Sequence, residues 1–271
     1  MGEAMAPAGE RERRKRAVQE RLREQGIDGL LVTHPADLFY LTGAEGREAF
    51  LLPCEGETVG AGEGEDPLFE RIAGRARDVL GRLPAFLGLE MDVLSVRESM
   101  QVRRAFPRSR LRDGTPALLS ARMLKSAWEL QRMERLAERT ARVFARAGKA
   151  MEPGLTEIAF AGRLEALAGE LGISGRVRVR DHRTEGYPWH VLAGASGGTV
   201  GLLDAPATGE GTSPAFPCGA GYRTLSPGAP VMVDFAVQMD GYHMDETRML
   251  SMGPLSDEVY KACRAALEIH D

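Results

Sequence analysis

Two aspartates eleven residues apart, Asp234 and Asp245, hold the most promising chemistry in this sequence. Residues 231–237 are apolar except for Asp234, and Asp240-Gly241 is a two-residue hairpin signal with a return strand from Tyr242 onward. Pairing Met239 with Tyr242 across that turn sets Asp234 opposite Thr247. The period-two rule then puts Asp245 on the same face, one diagonal step away. Two unit charges about 4 Å apart repel by roughly 1 kcal/mol in water and by about 4 kcal/mol at an effective dielectric near 20. A divalent cation held through carboxylate oxygens relieves this, and paired ions roughly 3.5 to 4 Å apart can share a bridging water as nucleophile. The competing reading is a solvated acidic hairpin whose aspartates serve only turns and surface. Against it stands the place of Asp234 in an apolar strand expected to be buried, where an unpaired charge is costly.

At these residues the chain resembles the pita-bread metallopeptidases, the family of Xaa-Pro aminopeptidase, prolidase, methionine aminopeptidase and the metal-free creatinase. That family carries an Asp-x-Gly strand and then a Gly-Tyr-x-x-Asp-x-Thr-Arg strand, with its two metal-binding aspartates at the same spacing. Gly241, Tyr242, Asp245, Thr247 and Arg248 match, while Ala236 stands where glycine is usual. Residues 28–32 and 34–43 resemble the N-terminal domain of the creatinase and aminopeptidase P branch, and residues 122–130 resemble the entry into the catalytic domain. Methionine aminopeptidases lack that front domain, so the resemblance points to the Xaa-Pro branch. It implies a shortened α/β N-terminal domain over residues 1–119, followed over residues 120–271 by an α+β pita-bread domain of which about the first half is present.

The same resemblance implies a metal-dependent aminopeptidase or dipeptidase acting on Xaa-Pro bonds, with two divalent ions (Mn, Co or Zn), a peptide substrate and a homodimeric assembly. Asp234 then binds one ion and Asp245 bridges both. Thr247 and Arg248 stay outside the coordination sphere, Thr247 bonding to a ligand carboxylate and Arg248 pairing with an acid elsewhere. His243 shares the parity of Asp245 and is read as supporting or solvent-facing. His190, beside Trp189 and Val191, is a candidate substrate-facing residue; the plainer alternative is a hydrogen-bonded, partly buried histidine.

Two departures bear on activity. Where the family has a substrate-orienting histidine, about seventeen positions before the first aspartate, this chain has Pro217. The family's second half supplies a histidine and two glutamates as further ligands; residues 255–269 read as the helix that opens this half, and His270 lies too close to it to match. The expectation is a piece of a longer enzyme that alone binds metal weakly and lacks appreciable peptidase activity. Two other readings compete. One is a non-catalytic module that binds peptide or protein, favoured by Pro217 and the shortened front domain. The other is creatinase-like hydrolysis without metal, against which stand both retained aspartates.

The elements that must position these residues follow from composition and periodicity. With 271 residues and 43% hydrophobic side chains the chain can build two ordinary cores, and a net charge of −4 gives no reason to expect nucleic acid or a membrane surface as partner. The basic cluster over residues 11–16 is interleaved with acids and reads as the solvated side of a helix. Cys54, Cys218 and Cys263 form no disulfide or zinc pattern, which fits a reducing cytoplasm, and residues 1–10 lack the apolar core of a signal peptide. Helical spacing predicts helices over 9–25, stopping at Gly26, and over 66–83, before Pro84. Strands are predicted at 29–33 and 50–52, and a strand and turn at 88–94, with a glycine-rich acidic loop at 55–65. Ser126 and Glu129 form a capping-box pattern opening a long helix whose apolar positions include Leu130, Met133, Leu136, Ala137, Val143 and Phe144. Thr156 is the expected N-cap of a helix reaching about Leu171. Residues 176–180 alternate as a strand with one apolar and one basic face, the basic face read as solvated, with substrate contact as the alternative.

Overall fold

The structure is a computed structural model that describes residues 5–43, 48–175, 180, 190–200 and 208–270. It divides into two compact units, one running to Trp128 and taking in Arg180, the other beginning at Glu129.

The first unit is a mixed five-stranded sheet between two helical layers. Its elements in order are α1 (Ala8–Glu24), β1 (Gly29–Val32), α2 (Pro35–Thr42), β2 (Phe50–Pro53), β3 (Val59–Gly60), α3 (Leu68–Leu80), β4 (Phe86–Leu89), α4 (Val96–Ala105), β5 (Arg110–Asp113) and α5 (Thr115–Met123). The strand order is β3-β2-β1-β4-β5; β1, β4 and β5 run parallel, and β2 and β3 close one edge antiparallel. β1 and β2 are buried at every position, as strands covered on both faces must be. Leu31, Leu51, Leu87 and Leu89 face α3 and α4, whereas Leu30, Val32, Phe50 and Leu52 face Val18 and Leu22 of α1, Leu41 of α2 and Leu118 of α5.

This unit holds more elements than the periodicity predicts. The predicted loop at 55–65 contains the short edge strand β3, and α2, α4, β5 and α5 lie where no element was expected. Each carries a local signal all the same. Pro35 opens α2 and Gly43 caps it in the left-handed conformation, and Ser95 with Glu98 forms a reciprocal capping box at the start of α4. The helix expected over 66–83 is α3, which closes earlier, at Gly81.

Past the carboxyl ends of β1 and β4 two fully buried acids meet. Glu90 accepts from the amides of Thr33 at 2.6 Å and His34 at 2.9 Å, and Asp37 accepts from Arg122 at 2.7 Å. Arg180 reaches both acids and also Asp92, at 2.5 Å. Arg180 is therefore an ion-paired residue rather than part of a solvated strand face; its neighbours 176–179, on which that strand was predicted, lie outside the described residues.

The second unit packs two long helices on one face of a three-stranded antiparallel sheet. It contains α6 (Ala127–Ala150), most of which belongs to it, then α7 (Glu157–Glu170), β6 (His190–Ala193), a 3-10 turn (Gly194–Gly198), β7 (Pro230–Met239), β8 (Tyr242–Ser251) and α8 (Asp257–His270), with sheet order β6-β7-β8. Thr156 caps α7 as expected, its hydroxyl accepting from the Ala159 amide. Leu136, Val143 and Ala147 of α6 and Phe160 and Leu164 of α7 cover Val191, Val231, Val233, Phe235 and Val237 of the sheet, with Phe144 stacked on Phe235 at 4.7 Å between centroids. Leu130, expected on the apolar face of α6, is exposed, and Glu129 is buried and accepts from the Tyr242 hydroxyl at 3.1 Å. Ser126 donates to Glu10 at 3.0 Å.

Candidate metal centre

The hairpin that carries Asp234 and Asp245 turns at Asp240 and Gly241, whose φ angles of 55° and 82° are both positive. Two successive positive φ values make the turn whose twist matches paired strands, and Asp-Gly is a sequence that tolerates it. The register is Met239 opposite Tyr242, Ala236 opposite Asp245 and Asp234 opposite Thr247. That is the register expected from the turn, and it places both aspartates on one face.

The strand itself differs from expectation in its burial. Val231, Val233, Phe235 and Val237 are buried, while Met232, Asp234, Ala236 and Gln238 alternate with them on a half-buried face. Helices cover only the first set, so Asp234 lies on the face away from α6 and α7 and not inside a continuous apolar run. The cost of a buried lone charge therefore cannot argue for a cation here.

Thr247 donates its hydroxyl to Asp234 Oδ1 at 2.7 Å. This fixes one carboxylate oxygen and leaves the remaining lone pairs available to another partner. His190, the first residue of β6, pairs across the sheet with Asp234, so it stands on the same face. Partial burial, and after it the negative charge of Asp234, raises the Asp245 carboxyl above the usual aspartate range. Burial lowers the His190 pKa, and the charges of Asp234 and Asp245 work the other way, so the neutral imidazole is favoured. Opposite Asp245 stands Ala236, the one mismatch in the hairpin pattern, and its small side chain leaves the acid room.

His243 is exposed on this face, opposite Gln238. Arg248 pairs with Val233 on the other face, where its guanidinium forms an ion pair with Glu246 and lies 5.4 Å from the Phe144 ring centroid. That acid lies on β8 itself and not elsewhere in the chain as expected, and Arg248 does not meet the carboxylates of Asp234 and Asp245. A neighbour that sequence reasoning passed over is Cys218, buried, with Sγ 3.7 Å from His190 Nε2. Its place beside Pro217, where the family histidine is missing, was the signal that could have found it. Trp189, which the sequence sets beside His190, lies outside the described residues.

Oxygen donors on one face, one oriented by a hydroxyl and the other raised in pKa by partial burial and then by its neighbour's charge, suit a hard or borderline divalent ion. They form only part of a ligand set. Among the described residues no group of three or more His, Cys, Asp or Glu side chains is arranged to hold a metal. The three cysteines are unbridged, and among the described residues no helix is long and apolar enough to cross a membrane.

An α/β unit followed by a helix-backed antiparallel sheet is a fold shared with Xaa-Pro peptidases of known structure. The X-Pro aminopeptidase of Thermotoga maritima superposes with a TM-score of 0.69 at 20% identity, over 92% of this chain and 69% of that one. The Xaa-Pro dipeptidase of Bacillus anthracis gives 0.71 at 18%, over 92% and 67%, and the dipeptidase PepE of Mycobacterium ulcerans 0.68 at 22%, over 94% and 68%. No curated protein matches in sequence. The family models decide membership: residues 131–271 match metallopeptidase family M24 and residues 14–124 match the creatinase/prolidase N-terminal domain. The chain belongs to metallopeptidase family M24.

Proposed function

We propose that this chain carries the aspartate half of the metal centre of a peptidase acting on Xaa-Pro bonds, as an aminopeptidase or dipeptidase. The observation that carries the reading is the shared face of Asp234 and Asp245, with Thr247 bonded to the first. Asp234 and Asp245 would hold the ions, two in the complete site and of the Mn, Co or Zn type. A bound ion there supplies a Lewis acid for the scissile carbonyl and an acidified water. The protein's own groups do the rest of the work in this half. Thr247 holds Asp234 in one orientation, and neutral His190 offers a ring nitrogen to a peptide lying along the open face.

Because two carboxylates alone are a sparse ligand set, residues 1–271 by themselves should bind metal weakly and turn over little peptide. A cytoplasmic homodimer is part of the proposal, in keeping with the unbridged cysteines. The test is calorimetric titration of Mn²⁺ into the chain, followed by Asp234→Ala and Asp245→Ala, with Xaa-Pro dipeptide hydrolysis assayed alongside. Saturable uptake that either substitution weakens at least about tenfold is the expected result. Unchanged uptake in both variants would remove the two aspartates from the proposed site.

The sparse ligand set also favours a second reading, a non-catalytic module that binds peptide on the same face. It expects peptide binding that is indifferent to Mn²⁺ and to both alanine substitutions.

A further inference from the structure

Glu157, the first residue of α7, is 1% exposed. Its Oε1 accepts from the Ala193 amide at 2.6 Å and from the Ser196 hydroxyl, and its Oε2 accepts from the Gly221 amide at 2.9 Å. These donors come from separate places: Ala193 ends β6, Ser196 lies in the turn that follows, and Gly221 sits after the loop that carries Cys218. The backbone adds to the join, with Glu157 N to Arg223 O at 2.9 Å and Ile158 N to Gly221 O at 3.1 Å. A carboxylate is expensive to bury, so three donors converging on one, at a helix start whose dipole favours negative charge, mark a constructed anchor.

The two segments that Glu157 ties down meet again at the carboxylate face. β6 runs from Ala193 back to His190, which pairs with Asp234, and the loop runs from Gly221 back to Cys218, whose sulfur lies against the His190 ring. Glu157 itself touches neither aspartate. We propose that Glu157 is a positioning residue for the carboxylate site, setting the His190–Cys218 contact that walls the face beside Asp234. The proposal rests on the peptidase reading only for what that wall faces.

The full chain carrying Glu157→Gln keeps the side chain's size but turns an NH2 toward donors that need an acceptor. Alkylation by iodoacetamide, followed for each cysteine by mass spectrometry, should then rise at Cys218 by at least about tenfold through local opening. Labelling of Cys54 and Cys263, and amide exchange at Val233 and Phe235, should not change. Ser196→Ala removes a single donor and should give a smaller rise, and it stands in if the glutamine variant does not fold. Added Mn²⁺ should broaden the His190 ring resonances in the native chain more than in Glu157→Gln, a readout that a purely structural brace would leave unmoved. Unchanged labelling of Cys218, or a rise shared by all three cysteines, overturns the proposal, as does broadening of His190 that is present and equal in both chains. Selective labelling of Cys218 without broadening of His190 in either chain upholds the wall and instead sinks the metal reading.

Discussion

Asp245 responds to both burial and the charge of Asp234, and the sign of that response makes a prediction. Its native pKa lies above the ordinary 3.8, so the folded state holds the proton more tightly than the unfolded chain does. The associated stability is complete below 3.8 and is lost as pH rises through the native pKa. At neutral pH the metal-free protein therefore carries a small penalty, which Asp245→Asn removes. Because the side chain is exposed and solvent screens the charge, the expected gain is only about 0.5 kcal/mol. It should fade as pH falls to 4, and thermal melts of the metal-free chain at two pH values read it directly. The same variant should lose the stabilisation that Mn²⁺ gives the native chain, so one substitution moves the two states in opposite directions. No such reversal is expected of an acid that merely solvates a turn.

At the scale of elements, the hairpin depends on a turn that few residues can make. Gly241, at a φ of 82°, takes no side chain without strain. Gly241→Ala should cost roughly 1 to 2 kcal/mol and, by loosening the register, weaken Mn²⁺ uptake although the substitution touches neither aspartate. Calorimetry and denaturant melts of the same preparation test both effects. The hairpin was legible in the sequence because its determinants are local: a two-residue turn and period-two spacing fix which side chains share a face. The same holds for α7 with its Thr156 cap and for the long α6. Elements of two to ten residues were missed in the first unit, since β3 and β5 show little periodicity and α2 announces itself only through Pro35 and Gly43. What local pattern could not reveal was contact across the chain. Glu157 meets its three donors at separations of 36, 39 and 64 residues, and Cys218 meets His190 across 28. Nothing within a window of ten residues marks those partners. The burial of β7 was misjudged for a related reason, because which face a helix covers is a property of packing and not of the strand's own composition.

At the scale of the whole molecule, the response to acid should be governed by the buried pair Asp37 and Glu90 more than by the net charge of −4. Burial works to raise the Asp37 pKa, but the His34 hydrogen bond and the charges of Arg122 and Arg180 overcome it and hold that carboxyl well below the usual range. Burial, and then the charge of Asp37, push Glu90 the other way. Asp37 thus contributes stability that is present above 3.8 and is lost as pH falls through its native pKa. Glu90 contributes stability that is present below 4.5 and is lost as pH rises through its native pKa. Between them they favour a mildly acidic medium, with the acid limb assigned to Asp37 and the decline above 4.5 to Glu90. Glu90→Gln cannot titrate, so it should flatten the decline above about pH 4.5. Asp37→Asn leaves Arg122 and Arg180 without their buried acceptor and should cost roughly 3 kcal/mol at pH 7, with a shallower acid limb. Denaturant melts of the native chain and both variants, carried from pH 8 down to the lowest pH at which the native chain stays folded, measure this. An acid limb that keeps its full depth in Asp37→Asn would assign acid sensitivity to other carboxylates of the chain.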